Sequence, residues 1–298
     1  MIKSIRSFSL SILAAAALLP VAAAQAPITV SIGFNPTQNS DLLTSAANGI
    51  ASYIEAQLGG AVEVKVYIPT DYRGLIEAMG SGNLDFAFFP PDGFVVANQE
   101  VGAMVLLKSV RNGNPFYWSA IVVRKDSGIT DIGDLEGKSI AWVDPNSAAG
   151  YTFPRAELIS AGINPDDFFS KQVFAGGHDA AVLAVLNGSV DAAATFANDD
   201  QNISGAWTQF LDPDQAKQLT AIFYSRPIPG DTFSVSRTFA DEHPALTYQI
   251  AAAIATIKAP ENNLLVDLYR IDYMIPADSS DYAVVRDTRR ILGLDKGQ

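Results

Sequence analysis

The chain has 298 residues, 48% of them hydrophobic, a formal charge of −12 and no cysteine. An acidic balance of this size disfavours a nucleic-acid partner, and the lack of cysteine excludes disulfides, thiolate nucleophiles and cysteine-ligated metals. A chain this long buries enough surface to fold without covalent staples, as one large or two medium domains.

The first element is Met1-Ile2-Lys3-Ser4-Ile5-Arg6 followed by an apolar run over 8–24 that ends in Ala22-Ala23-Ala24. A basic start, an apolar middle and small residues before Gln25 predict a secretory signal peptide over 1–24. Its removal takes away Lys3 and Arg6 and carries the formal charge from −12 to −14. With no cysteine at the cleavage point to take a lipid, a periplasmic protein without an anchor is expected; the alternative is an uncleaved membrane segment.

Beyond it, apolar β-rich runs alternate with helical patterns. Strands are predicted over 28–34, 62–68, 85–89, 104–110, 119–124, 139–143, 171–174, 191–196, 220–224 and 232–236. A helix over 40–58 places Leu42, Leu43, Ala46, Ala47, Ile50, Ile54 and Leu58 on one stripe. Further helices are predicted over 73–79 and 148–160, the second with Pro154 near its start, where proline is tolerated. The tail over 244–292 shows no strand pattern and carries helices such as 245–257 and 280–292. This order predicts the α/β class in two lobes, each a mixed, mostly parallel sheet flanked by helices. The first lobe would be discontinuous, 25–120 with 232–298, and the second would span 121–231. A cleft is expected at the carboxyl ends of the strands, where open α/β sheets bind ligands.

Several strand ends carry polar groups. Asp144-Pro145-Asn146-Ser147-Ala148-Ala149-Gly150 follows an apolar strand and opens a helix. Such a start offers unpaired backbone N–H groups and the positive end of the helix dipole to an anion. Asn146 or Ser147 can serve as the N-cap, and the same composition also suits an ordinary capped helix. Asp71-Tyr72-Arg73-Gly74 puts an aromatic hydroxyl at a helix start, and Phe88-Phe89-Pro90-Pro91 is an apolar strand end. Asn114-Pro115-Phe116-Tyr117-Trp118-Ser119 and Ile228-Pro229-Gly230-Asp231-Thr232 lie at the two predicted crossings between lobes. Phe174-Ala175-Gly176-Gly177-His178-Asp179 is again strand, glycine turn and helix start.

The only histidines are His178 and His243, too few for a histidine-rich metal site, so no metal is expected. His243, before Pro244, reads as a surface cap. Asp199-Asp200 and Asp212-Pro213-Asp214 lack calcium-loop spacing. Ser147, His178 and Asp231 lack a Gly-x-Ser-x-Gly elbow, so an enzyme is not expected. Among Arg124, Arg155 and Arg226, the last, beside the return crossing, is the one expected to reach an anion.

Taken in order, Asp71-Tyr72-x-Gly74 with Glu77-x-Met79, Tyr117-Trp118-Ser119, Asp144-Pro145-Asn146-Ser147-x-x-Gly150, Ala175-Gly176-x-His178 and Ile228-Pro229-Gly230-Asp231 resemble the phosphonate-binding protein family. These are PhnD-like periplasmic components of ABC transporters for phosphonate, phosphite and related anions. The resemblance implies a type II periplasmic binding protein fold, a ligand cleft at the hinge, a small phosphorus oxyanion as ligand and a membrane permease as partner. It implies a monomer without cofactor. It implies that Tyr72 and Tyr117 donate hydroxyl hydrogen bonds, that Ser147 and the backbone N–H groups of Ala148, Ala149 and Gly150 cradle the anion, and that His178 is a second donor. Asp231 would accept from a protonated P–OH or pair with a ligand ammonium.

Two departures bear on the ligand. Ala148 and Ala149 stand where the family usually has hydroxyl residues, and Asn198 stands where aminoalkylphosphonate binders have an acid. Phosphite, methylphosphonate or phosphate is therefore expected to bind in preference to 2-aminoethylphosphonate. Other readings are a sensor-type binding protein that serves a receptor kinase, and a binder of a sulfur oxyanion or organic ligand on the same fold.

Overall fold

The computed structural model describes residues 26–37 and 40–295, so the expected signal segment lies outside the described residues. The strands are β1 Ile28–Phe34, β2 Val62–Tyr67, β3 Phe86–Phe89, β4 Met104–Val110, β5 Phe116–Arg124, β6 Ser139–Trp142, β7 Lys171–Phe174, β8 Ala192–Ala197, β9 Leu219–Tyr224, β10 Ile228–Pro229, β11 Thr232–Val235 and β12 Tyr273–Pro276. They form two sheets, ordered β12-β4-β11-β3-β1-β2 and β10-β5-β8-β6-β7, with β9 also on β5. In the first, β1 runs parallel to β2 and β3, and β11 is antiparallel to both β3 and β4. In the second, β6 is parallel to β7 and β8, while β5 is antiparallel to its neighbours β8, β9 and β10. The mixed α/β architecture read from the sequence is present in both sheets, but each has three antiparallel and two parallel pairings rather than mostly parallel ones.

Each sheet is built by burial patterns the residues dictate. Val30, Ile32 and Phe34 of β1 share a core cluster with Leu43, Ala47, Ile50 and Ile54 of the helix Ser40–Gln57, a helical stripe docked on a strand face. Leu42, expected on that stripe, is 68% exposed, because it lies one position off the face its neighbour Leu43 buries. Along β5, Ala120 and Val122 enter one cluster and Ile121 and Val123 another, so the second sheet is covered on both faces.

Three further expectations need correction. The tail does contain a strand: β12 pairs antiparallel with β4 at the sheet edge. Four residues ending in Pro276 give too short a pattern to read, and pairing across the sheet supplies what local propensity does not. The expected lobe boundary at 120/121 falls inside β5, whose strand partners all lie in the second sheet. The first crossing between sheets is thus 111–115, between β4 and β5. Finally, His243 precedes the helix Pro244–Thr256 without a side-chain cap bond; its ring packs on Phe239 at 4.9 Å.

The two sheets meet along an apolar seam. Phe94 of the helix Pro91–Val101, Phe153 of the helix Phe153–Ser160, and Tyr282 and Val285 at the chain's end share one cluster with Tyr117, Ala148 and Ala149. Within it lies a buried ion pair, Arg289 Nη1 to Asp92 Oδ2 at 2.8 Å, and Arg289 Nε also reaches Asp295 Oδ1 at 2.8 Å. Burial is the main cause that pushes the Asp92 carboxyl up to about 6, against the opposing pull of Arg289.

Candidate functional site

A cavity of about 60 Å³ lies between the sheets, lined by residues of both. Its position follows from strand direction. Asn35 and Thr37 follow β1, Pro90 follows β3, Arg111 follows β4, Ser147 and His178 come after β6 and β7, and Asn198 follows β8. The antiparallel strands present their beginnings at the same edge: Tyr117 opens β5, Asp231 precedes β11 and Tyr269 lies ahead of β12. A space this small holds a few water molecules or one compact anion.

Four helix starts converge here. Tyr72, Pro90 and Ser147 are N-cap residues lining the cavity, and Gly177 caps the helix that His178 opens. Dipoles and N–H groups at helix starts favour an anion, which offers a local attraction in an otherwise acidic protein.

The Ser147 turn has an unexpected form. Ala148–Thr152 is a π-helical turn that runs into the α-helix Phe153–Ser160. Pro154 has no N–H to give to Gly150, and the Gly150 carbonyl instead accepts from Val143 N–H at 3.0 Å. A side chain at Gly150 would bring its Cβ to 2.4 Å from Val143 Cβ, so only glycine lets the turn approach β6 this closely. Ser147 Oγ accepts from Gly150 N–H at 3.0 Å, which makes Ser147 the cap and spends the Gly150 donor. The serine proton is left to donate.

Of the residues expected at the site, Tyr72, Tyr117, Ser147, His178, Asn198 and Asp231 line the cavity. Ala148, Ala149 and Gly150 do not; the alanine side chains face the apolar seam, and Ala149 O accepts from Ser119 Oγ at 2.6 Å. Tyr72 Oη and Asn35 Oδ1 are buried and neither makes a hydrogen bond of good geometry among the described residues, although Asn35 lies close enough to Tyr72 to draw its pKa down against the larger effect of burial. Burial chiefly, with Asp144 and Asp231 nearby, pushes the Tyr72 hydroxyl well up, and burial does the same to Tyr117. Both stay protonated donors. His178 Nδ1 pairs with Thr195 Oγ1 at 2.9 Å, and burial lowers its pKa to about 3, so the ring is neutral. Asn198 Nδ2 donates to Ser204 Oγ at 3.0 Å. Asp199 does not face the cavity; its carboxylate gathers the N–H groups of Gln201, Ile203 and Ser204.

Sequence reasoning missed Arg111. Its guanidinium holds the Asp231 carboxylate in an ion pair. Arg226, expected to reach an anion, instead pairs with Glu157 at 3.1 Å, while Arg124 and Arg155 hold Asp126 and Asp166. Arg111 lies just past a strand end at a crossing, which was the available signal, but the crossing was placed some residues too late. Phe196, Phe210 and Tyr269 were also missed; together with Phe88, Phe89 and Pro90 they give the cavity an apolar wall. Among the described residues, no group of three or more histidines and carboxylates is placed to hold a metal.

Residues 32–282 match the family of periplasmic substrate-binding proteins of phosphonate ABC transporters. The chain is 30% identical over 289 residues to the phosphate-import protein PhnD of Mycolicibacterium smegmatis, with 91% of this chain and 88% of that protein covered. It is 30% identical over 230 residues to the phosphonates-binding periplasmic protein of Escherichia coli, covering 75% of this chain and 64% of that protein. Among solved structures it is similar to PhnD1 of Prochlorococcus marinus in complex with methylphosphonate, with a TM-score of 0.78, 21% identity, and 90% and 100% of the two chains covered.

Proposed function

Because the chain belongs to the family of periplasmic substrate-binding proteins of phosphonate ABC transporters, we propose that it captures one small phosphorus oxyanion in the cavity between its sheets and presents it to a membrane permease. The observation that carries this reading is the buried Tyr72 hydroxyl, which makes no hydrogen bond of good geometry among the described residues and lines a cavity on which four helix starts converge. A buried donor of this kind costs about 1–3 kcal/mol while unpaired and recovers it when an acceptor arrives.

In the bound state Tyr72, Tyr117 and Ser147 donate hydroxyl protons to the anion. Thr195 holds His178 Nδ1 as acceptor, so that Nε2–H donates as well. None of these groups brings a formal charge, which suits a ligand whose negative charge is stabilised by dipoles. Closure of the two lobes is supported by the bond from His178 N–H to Thr37 O at 3.3 Å, which joins a helix start of one sheet to a loop of the other. Binding is the whole of its chemistry. In this reading the protein acts as a monomer in the periplasm, exported by the signal peptide expected over 1–24.

Phosphite, methylphosphonate and phosphate are the favoured ligands. Asn198 offers no charge to an ammonium, Asp231 is already paired, and Phe196 and Phe210 line the wall with apolar surface. The test is calorimetry on the chain from Gln25 with phosphate, phosphite, methylphosphonate, 2-aminoethylphosphonate and sulfate. Binding of a small phosphorus oxyanion, with 2-aminoethylphosphonate weaker, is expected. Tight sulfate binding with no response to any phosphorus oxyanion would overturn the reading.

A further inference from the structure

Among the described residues, Arg111 carries the one guanidinium that lines the cavity, and three acceptors fix its orientation. Its Nη2 bonds Asp231 Oδ2, its Nη1 donates to Ser109 Oγ at 2.9 Å and its Nε donates to the Tyr269 carbonyl at 3.2 Å. The guanidinium carbon also lies 5.8 Å from the centre of the Tyr117 ring. Side-chain exposure is 13% for Arg111 and 21% for Asp231, so the pair is largely shielded from bulk water.

The pair also joins the two crossings between sheets. Arg111 opens the outgoing crossing and Asp231 ends the return, where Ser109 N–H donates to Asp231 O at 2.8 Å and Gly230 N–H to Pro115 O at 2.9 Å. Gly230 permits this approach: a Cβ there would come within 2.2 Å of Ser109 O.

With Oδ2 taken, Asp231 Oδ1 has no hydrogen-bond partner among the described residues. The groups around the carboxylate include Arg111 and the hydroxyls of Tyr72, Tyr117, Tyr269 and Tyr282. Arg111 therefore both cancels the charge of Asp231 and fixes which oxygen can face a ligand. A bare carboxylate there would repel every anion. A carboxylate neutralised from behind repels far less, yet its free oxygen still demands a hydrogen-bond donor.

We propose that Arg111 is a positioning residue that determines specificity: it holds Asp231 so that Oδ1 accepts the proton of a ligand P–OH, which admits hydroxyl-bearing oxyanions and rejects fully deprotonated ones. This rests on the ligand class proposed above. A sulfate dianion, with no proton to give, would set its own lone pairs against Oδ1. A ligand ammonium meets a carboxylate whose charge Arg111 already cancels, and so gains less from it than from a bare one.

The test is calorimetry with methylphosphonate and sulfate at pH 8, 7 and 5.5 on the wild type, Arg111→Gln, Arg111→Lys, Asp231→Asn and Arg111→Gln/Asp231→Asn, with thermal unfolding to confirm that each folds. Truncating one member of a shielded charge pair is expected to weaken methylphosphonate binding by about thirtyfold or more in Arg111→Gln at pH 8. The ratio of variant to wild-type Kd should shrink on acidification, because a carboxylate stripped of its cation and facing an anion gains a proton more readily. Sulfate, which does not titrate between pH 8 and 5.5, is the internal reference that separates the ligand's own titration from that of the protein. Arg111→Lys, which keeps the charge but loses the fork, should fall between them. The double variant should bind methylphosphonate more tightly than Arg111→Gln, and Asp231→Asn should narrow the preference for methylphosphonate over sulfate. A double variant no better than Arg111→Gln, or a ratio flat with pH, would show that Arg111 only supports the fold and would overturn the proposal. Failure of the wild type to bind any phosphorus oxyanion would instead remove the ligand class on which the proposal rests, and the proposal with it.

Discussion

Tyr72 shows how one side chain can be a liability to the fold and an asset to the site. Its ring packs among residues of the second sheet's core, while its buried hydroxyl makes no hydrogen bond of good geometry among the described residues. Tyr72→Phe is expected to weaken ligand binding by about tenfold to a hundredfold, the worth of one hydrogen bond to a charged group. The unliganded protein should melt no lower than the wild type, since an orphan hydroxyl is removed; a lowered Tm with unchanged Kd would assign the residue to packing alone. His178 makes an opposite contribution to stability. Its folded pKa, about 3, lies below its ordinary 6.5, so its stabilising contribution is complete above pH 6.5 and is lost as pH falls toward 3. Over that window His178→Gln should close its stability gap to the wild type by up to about 1.4 kcal/mol per pH unit, measured by urea unfolding at pH 7.5 and 4.5. The presence of these two residues at the site was legible from their place at helix starts. Arg111 was not, because a cation in a turn becomes informative only once Asp231, 120 residues away, is brought against it.

Among the elements, the turn at Ser147 departs most from its pattern. The sequence announces a helix, a cap and a proline near the start, but not the π-helical turn that arises when Pro154 leaves the Gly150 carbonyl to Val143. Gly150→Ala should cost about 1–3 kcal/mol by overpacking against Val143, read as a drop in urea midpoint at unchanged slope. It should also weaken binding, because the displaced turn carries Ser147. Strand β12 teaches the complementary lesson. Its four residues are too few to stand out as a period-two pattern, and they are a strand because the edge of β4 offers a ladder to join.

At the scale of the molecule, the C-terminal helix Ala283–Ile291 closes the seam between the two sheets and sends Arg289 to the fully buried Asp92. Arg289→Ala should destabilise the protein by about 3–5 kcal/mol at pH 8, where the carboxylate is left charged and uncompensated. The raised folded pKa of Asp92, about 6, favours its protonated form, so this cost should shrink at pH 5. Urea unfolding of both proteins at the two pH values measures the difference. The sequence by itself determined the α/β class, the alternation of strands and helices, the family and several of the polar residues around the cavity, because periodicity, capping chemistry and strand-end position are local properties written in neighbouring residues. Only the tertiary structure decided that Asp231 is paired rather than bare, that the side chains of Ala148 and Ala149 pack in the seam between the sheets, and that aromatic residues from both sheets form the cavity wall. Those are facts about which distant residues meet, and the meeting is set by packing between two sheets whose crossings bring opposite ends of the chain to one edge.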